Sequence, residues 1–93
     1  VYEDDKMIVI RDAEHAAPVH VLMIPKAHTE NIITAEPELL LYMFGKVKEL
    51  AEKLGVNEKG FRIVANTGDD GGQTVKHLHI HLLGGKALGW PPC

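Results

Sequence analysis

The chain has 93 residues, 45% of them hydrophobic, and a formal net charge of −3. That is the length of one domain, residues 1–93, with enough apolar side chains for a core, which excludes a disordered tail. Its Lys residues are scattered among acids without a basic run, so a nucleic-acid partner is not expected.

Met7–Arg11 is short, apolar and rich in β-branched residues, as a buried strand should be. Asp12–Pro18 lacks periodicity and reads as a loop, and Val19–Pro25 is the next strand, stopped by Pro25. Between Thr34 and Gly55 the period changes. Leu40, Met43, Phe44, Val47, Leu50, Ala51 and Leu54 fall on one helical face, with Lys46, Glu49 and Lys53 on the solvated side. Pro37 suits the first turn, Thr34 is a candidate cap, and Gly55 suits the left-handed end. Phe61–Asn66 alternates like a half-buried strand, residues 67–73 form a Gly/Asp loop, and His77–Leu83 is a further strand. Leu88–Pro92 reads as extended. These elements predict an α+β domain: an antiparallel sheet of about five strands with one long helix packed on it. One helix covers one sheet face only, so a homodimer is expected.

No apolar run approaches the ~20 residues of a bilayer span, and no signal-like stretch opens the chain, so no membrane partner is expected. Cys93 is the sole cysteine, which rules out an internal disulfide and a thiol pair for a metal and fits a reducing, cytoplasmic setting. The chain opens on Val1 inside what reads as a strand, and a natural N-terminal segment is expected ahead of it.

The segment His77-Leu78-His79-Ile80-His81-Leu82-Leu83 carries the chemistry. In a strand, residues two apart share a face at roughly 6.5–7 Å. His77, His79 and His81 therefore point one way and Leu78, Ile80 and Leu82 the other, into the core. Three imidazoles in strict alternation have no packing rationale. They suit either a transition-metal site or phosphorus chemistry, in which a neutral imidazole attacks phosphorus and becomes covalently phosphorylated. No Asp, Glu or Cys stands nearby at a fixed ligand spacing. The upstream loop Gly71-Gly72-Gln73-Thr74 offers permissive backbone, an amide and a hydroxyl, which favours phosphate.

This strand matches the His-φ-His-φ-His-φ-φ signature (φ apolar) of the histidine-triad family. The surroundings resemble its Hint branch, the purine nucleoside phosphoramidases, at Gly71-Gly72-Gln73-Thr74-Val75, Gly89-Trp90-Pro91-Pro92, Ala17-Pro18-Val19-His20 and Ile24-Pro25-Lys26. The resemblance implies hydrolysis of the P–N bond of purine nucleoside 5′-phosphoramidates. His79 would be the nucleophile, His81 would contact the phosphate oxygens, and His77 and His20 would support them. Asn66, Gly72, Gln73 and Val75 would bind the nucleotide, and the Thr74 hydroxyl would help the leaving amine. Asp12 would receive the ribose hydroxyls, Ile10 and Leu22 would line the base pocket, and Trp90 would lie in a C-terminal segment that crosses toward the partner subunit. His28 matches a recurrent family histidine that reads as structural or surface, and His15 has no assigned role. No cofactor is implied by these residues, because the zinc site of many bacterial members draws on an N-terminal segment absent from this sequence. Arg11 stands where His is common in animal members, and Cys93 where Gly is usual. The alternatives are a dinucleoside polyphosphate hydrolase of the same family and a nucleotide-binding scaffold with vestigial catalysis.

Overall fold

A computed structural model describes residues 1–14 and 16–91. His15, Pro92 and Cys93, which the sequence reading assigned to a loop, an extended tail and a terminal thiol, lie outside the described residues. The elements in chain order are β1 (Tyr2–Glu3), β2 (Met7–Arg11), β3 (Val19–Pro25), α1 (Pro37–Gly45), α2 (Val47–Leu54), β4 (Phe61–Val64) and β5 (Ile80–Gly84). They form one antiparallel sheet of order β1-β2-β3-β5-β4, in which β5 inserts between β3 and β4.

Alternation separates the two sheet faces. Met7, Val9, Val21, Met23, Ile80 and Leu82 are fully buried and meet Met43, Leu50, Ala51 and Val56 from the helical layer. Removing this apolar surface from water is the main force holding the helices on the sheet. Leu78, ahead of β5, joins the same core.

The helical segment expected as one long helix is divided at Lys46 into α1 and α2. The Lys46 N–H donates to the carbonyls of Met43 and Phe44, and its φ of −90° and ψ of −8° keep the chain right-handed. Gly55 ends α2 at φ 76°, as its lack of a Cβ allows. No helix is long and apolar enough to cross a membrane among the described residues.

Several expectations need correction. Glu36, not Thr34, is the residue ahead of α1, with Pro37 in the first turn. The Thr34 hydroxyl is engaged in the preceding loop, accepting the N–H groups of Glu30 and Asn31, because the chain turns there before the helix begins. Lys46 is half-buried over the rings of Tyr2 and Tyr42 instead of solvated; the short strand β1 brings Tyr2 to it. Phe44 is 46% exposed. It lies at the flank of the helical layer, beside Phe61 at the sheet edge, where no further element among the described residues covers it. β4 stops at Val64 instead of Asn66. The strand ladder of β5 begins at Ile80, opposite Met23, so His77 and His79 precede it.

Candidate active site

The face of the sheet away from the helices carries the imidazoles. His81 on β5 lies opposite Leu22 on β3, and His20 lies on the same strand two residues before Leu22. His20 is 6% exposed. Its Nδ1 is 2.9 Å from the Glu14 carbonyl oxygen, which can only accept, so Nδ1 carries a proton. Its Nε2 is 2.9 Å from His81 Nδ1 and 3.3 Å from Asp12 Oδ2. Two proton placements satisfy this group. With His20 neutral, His81 donates from Nδ1 and keeps a lone pair on Nε2. With a second proton on His20, shared toward Asp12 and His81, neutral His81 carries its own proton on Nε2. The two placements differ by one proton: when His81 Nε2 takes one up, the proton of the 2.9 Å contact passes to His20, and the reverse shift releases it.

Asp12 is positioned by β2 and β3 together, since its N–H donates to the His20 carbonyl at 3.0 Å. Its Oδ1 accepts the Glu14 N–H at 2.9 Å, which holds the carboxylate beside the histidines. Asp12, His20 and His81 offer three donor atoms within 4.8 Å of one another, a set whose types suit a transition metal. Elemental analysis of the purified protein measures whether one is held.

His79 is held differently. Its Nδ1–H donates to the carbonyl oxygen of His77 at 2.8 Å. In the neutral ring that leaves the lone pair on Nε2, the form a nucleophilic imidazole needs. The His79 and His81 rings meet edge to face with centroids 5.2 Å apart. The His77 ring donates from Nε2 to the Pro25 carbonyl at 2.9 Å, and its Nδ1 is 2.9 Å from Nδ1 of His28. His77 and His79 then border an apolar pocket of about 340 Å³ with Leu22, Ile24 and Val75, within the size range of small-molecule sites.

The remaining sequence-predicted residues are spread more widely. Leu22 and Val75 line the pocket. Ile10 lies across the ladder from Leu22, 40% exposed and outside that lining. Thr74 is exposed next to Val75. The Gln73 amide is fully engaged: Oε1 accepts from Asn31 Nδ2 and the Gly68 N–H, while Nε2 donates to the carbonyls of Glu30 and Val75. Gln73 therefore organises the loop and has no amide group left for a phosphate. Asn66 donates to the Gly71 carbonyl at 2.7 Å and lines a separate groove beside β4. A Cβ on Gly71 would collide with the Thr67 backbone, so this turn requires glycine. Gly72 beside it has φ 78°. Trp90 is 80% exposed, with the Arg62 guanidinium 5.8 Å from its ring.

Sequence reasoning missed two residues. Ile24 was readable, being two residues beyond Leu22 and hence on the same strand face. His28 was noted as a recurrent family histidine but read as structural or surface, because it reaches His77 only through the turn after Pro25.

Burial holds the pKa of His81 below the ordinary imidazole value, aided by the neighbouring charges of His79 and His20 and opposed by the Asp12 carboxylate. The unfolded chain protonates this histidine near 6.5, so below about that pH the unfolded state binds the extra proton and gains on the folded one. Stability is therefore expected to fall as pH drops from 7.5 to 5.5. The fall should be shallower in His81→Asn, measured by urea unfolding at both pH values. Identical slopes in the two proteins would contradict the assignment.

An antiparallel sheet that sets a cluster of imidazoles beside an apolar pocket defines a class of small site-bearing α+β domains. A family model described as the HIT domain matches residues 1–88, and the chain belongs to that family. A HIT-like protein of Synechococcus elongatus is 53% identical over 99% of this chain and 82% of its own length. The crystal structure of a HIT family hydrolase from Legionella pneumophila superposes with a TM-score of 0.95 at 42% identity, covering 100% of this chain and 86% of that one. A histidine triad nucleotide-binding protein from Candida albicans superposes with a TM-score of 0.82 at 29% identity, covering 98% and 72% of the two chains.

Proposed function

We propose that this HIT-family protein hydrolyses the P–N bond of purine nucleoside 5′-phosphoramidates through a nucleotidyl-histidine on His79. The observation that carries the reading is the His79 Nδ1–H bond to the His77 carbonyl, which leaves a nucleophilic Nε2 on a ring that borders the pocket. Nε2 attacks the α-phosphorus and the P–N bond breaks. The amine leaves with a proton delivered through the Thr74 hydroxyl. Water then attacks the same phosphorus, the P–Nε2 bond breaks, and nucleoside monophosphate departs. His81 holds the phosphate oxygens, and its Nε2 takes the proton that the attacking water releases as the contact proton passes to His20, then returns it in the reverse shift for the next leaving amine. Asp12 receives the ribose hydroxyls, and Leu22 with Ile24 and Val75 shelters the base. The names of the Legionella and Candida proteins, a hydrolase and a nucleotide-binding protein, agree with this chemistry.

Rapid quenching with adenosine 5′-phosphoramidate, followed by intact-mass and peptide analysis, is expected to trap one AMP on His79. Turnover without any adduct would overturn the covalent route. A higher kcat/KM for dinucleoside polyphosphates would reassign the substrate, and AMP binding with no turnover of either class would indicate a scaffold.

The same reading includes a homodimer acting in the cytoplasm. Among the described residues β4 stands at the end of the sheet with one edge unpaired, and exposed Phe44 and Phe61 flank a groove with Val47 and Ala51 beside it. A second copy of this chain, pairing edge to edge through β4, would cover both. Light scattering across a concentration series is expected to give twice the monomer mass, and Phe61→Lys is expected to return the protein to monomer. A wild-type protein that stays monomeric throughout would reject this assembly.

A further inference from the structure

We infer that His28 is a positioning residue that fixes the proton of His79 by way of His77; this rests on the proposed role of His79 and adds a fifth histidine to the working unit. The β3–β5 ladder begins at the Met23–Ile80 pair, so residues 77–79 have no strand partner on that side. They are held instead by the turn that follows β3. The Leu78 N–H donates to the Thr29 carbonyl at 2.7 Å. The His77 ring bonds the Pro25 carbonyl at 2.9 Å and the His28 ring at 2.9 Å.

These bonds leave one proton pattern. A carbonyl oxygen only accepts, so the proton of neutral His77 sits on Nε2 and its Nδ1 must accept. His28 is then the donor, from its own Nδ1. The two rings also touch, with centroids 4.9 Å apart at 54°. His77 thus cannot turn about its side chain without losing both bonds. Its carbonyl stays where it accepts the His79 Nδ1–H at 2.8 Å, and that bond decides which nitrogen of His79 is left to attack phosphorus. A surface histidine with no role would show neither the ring-to-ring bond nor this link to the nucleophile. Groups that orient a functional histidine through its other nitrogen act in this manner.

Three variants test the inference. Asparagine places an amide N–H where His28 Nδ1 stands; glutamine places it one atom too far out, and leucine removes it. In the protein without substrate, long-range ¹H–¹⁵N spectra are expected to show His77 as the Nε2–H tautomer and His79 as the Nδ1–H tautomer. His28→Leu should shift the His77 Nδ1 signal and give His79 a mixed pattern, and His28→Asn should restore both. Under phosphoramidate turnover, kcat is expected to fall about three- to tenfold in the Leu and Gln variants and to stay within about twofold in the Asn variant, as loss of one exposed hydrogen bond implies. Unchanged His77 and His79 spectra in His28→Leu overturn the inference. Expected spectra in a protein that turns over no phosphoramidate leave the positioning intact and reject the proposed reaction.

Discussion

His79→Asn is expected to lower phosphoramidate turnover by on the order of 10⁴-fold or more, the scale seen when a covalent nucleophile is removed. Asparagine keeps a donor near the position of Nδ1, so the bond to the His77 carbonyl is retained in part. What disappears is Nε2, the only atom of this side chain free to form the P–N bond of the intermediate. Because His79 is half-buried and its backbone lies outside the strand ladder, the substitution should cost only about 1 kcal/mol of stability. Initial rates, with thermal melting as the control, check both halves of the expectation. A variant that keeps a tenth or more of the wild-type kcat, a loss no larger than about the most one contact would give, would remove His79 from the nucleophile's role. The substrate-binding residues should then be sought elsewhere on the same sheet face.

Leu82→Ala is expected to do the reverse. Leu82 is adjacent to His81 in sequence but points to the other side of the sheet, fully buried between the strand partners Val21 and Ile63. Truncating a buried leucine costs about 2–5 kcal/mol, because the lost transfer free energy is joined by a cavity that the neighbours fill only partly. With no solvent exposure at this site, about 3 kcal/mol is expected, or roughly 15 °C in Tm for a domain of this size. Urea unfolding and calorimetry measure it. At temperatures where the variant remains folded, kcat should stay near wild type, since no atom of Leu82 borders the pocket. A melting temperature within about 2 °C of wild type would mean that the core closes around the deletion, against the full burial seen here.

The contrast between these two substitutions shows how much was legible from residue order. A period of two needs no tertiary information. It assigns Leu78, Ile80 and Leu82 to the interior and His77, His79 and His81 to the opposite side, and the buried and half-buried pattern follows it even where the ladder has not yet begun. The helical period placed Met43, Leu50 and Ala51 in the core equally well. It failed at Phe44, because a helical face is wider than the sheet beneath it, and only the layer's position shows which flank is left uncovered. The Gly-Gly-Gln-Thr loop was recognisable as a turn. The commitment of the Gln73 amide to Asn31, Gly68, Glu30 and Val75 was not, since two of those partners lie about 40 residues away in the chain.

The amino-acid sequence by itself therefore determined the α+β class, the two faces of the histidine strand and the membership that its motif signals. Those properties rest on local periodicity and on side-chain type, which are written residue by residue. Tertiary structure alone decided which imidazole meets which. His20 and His81 are 61 positions apart, and His28 and His77 are 49 apart. Their hydrogen bonds depend on strand register and on the path of one turn. Which ring nitrogen carries the proton is set by the partner it faces, so the assignment of donor and acceptor that leaves the His79 Nε2 lone pair free exists only once the chain has folded.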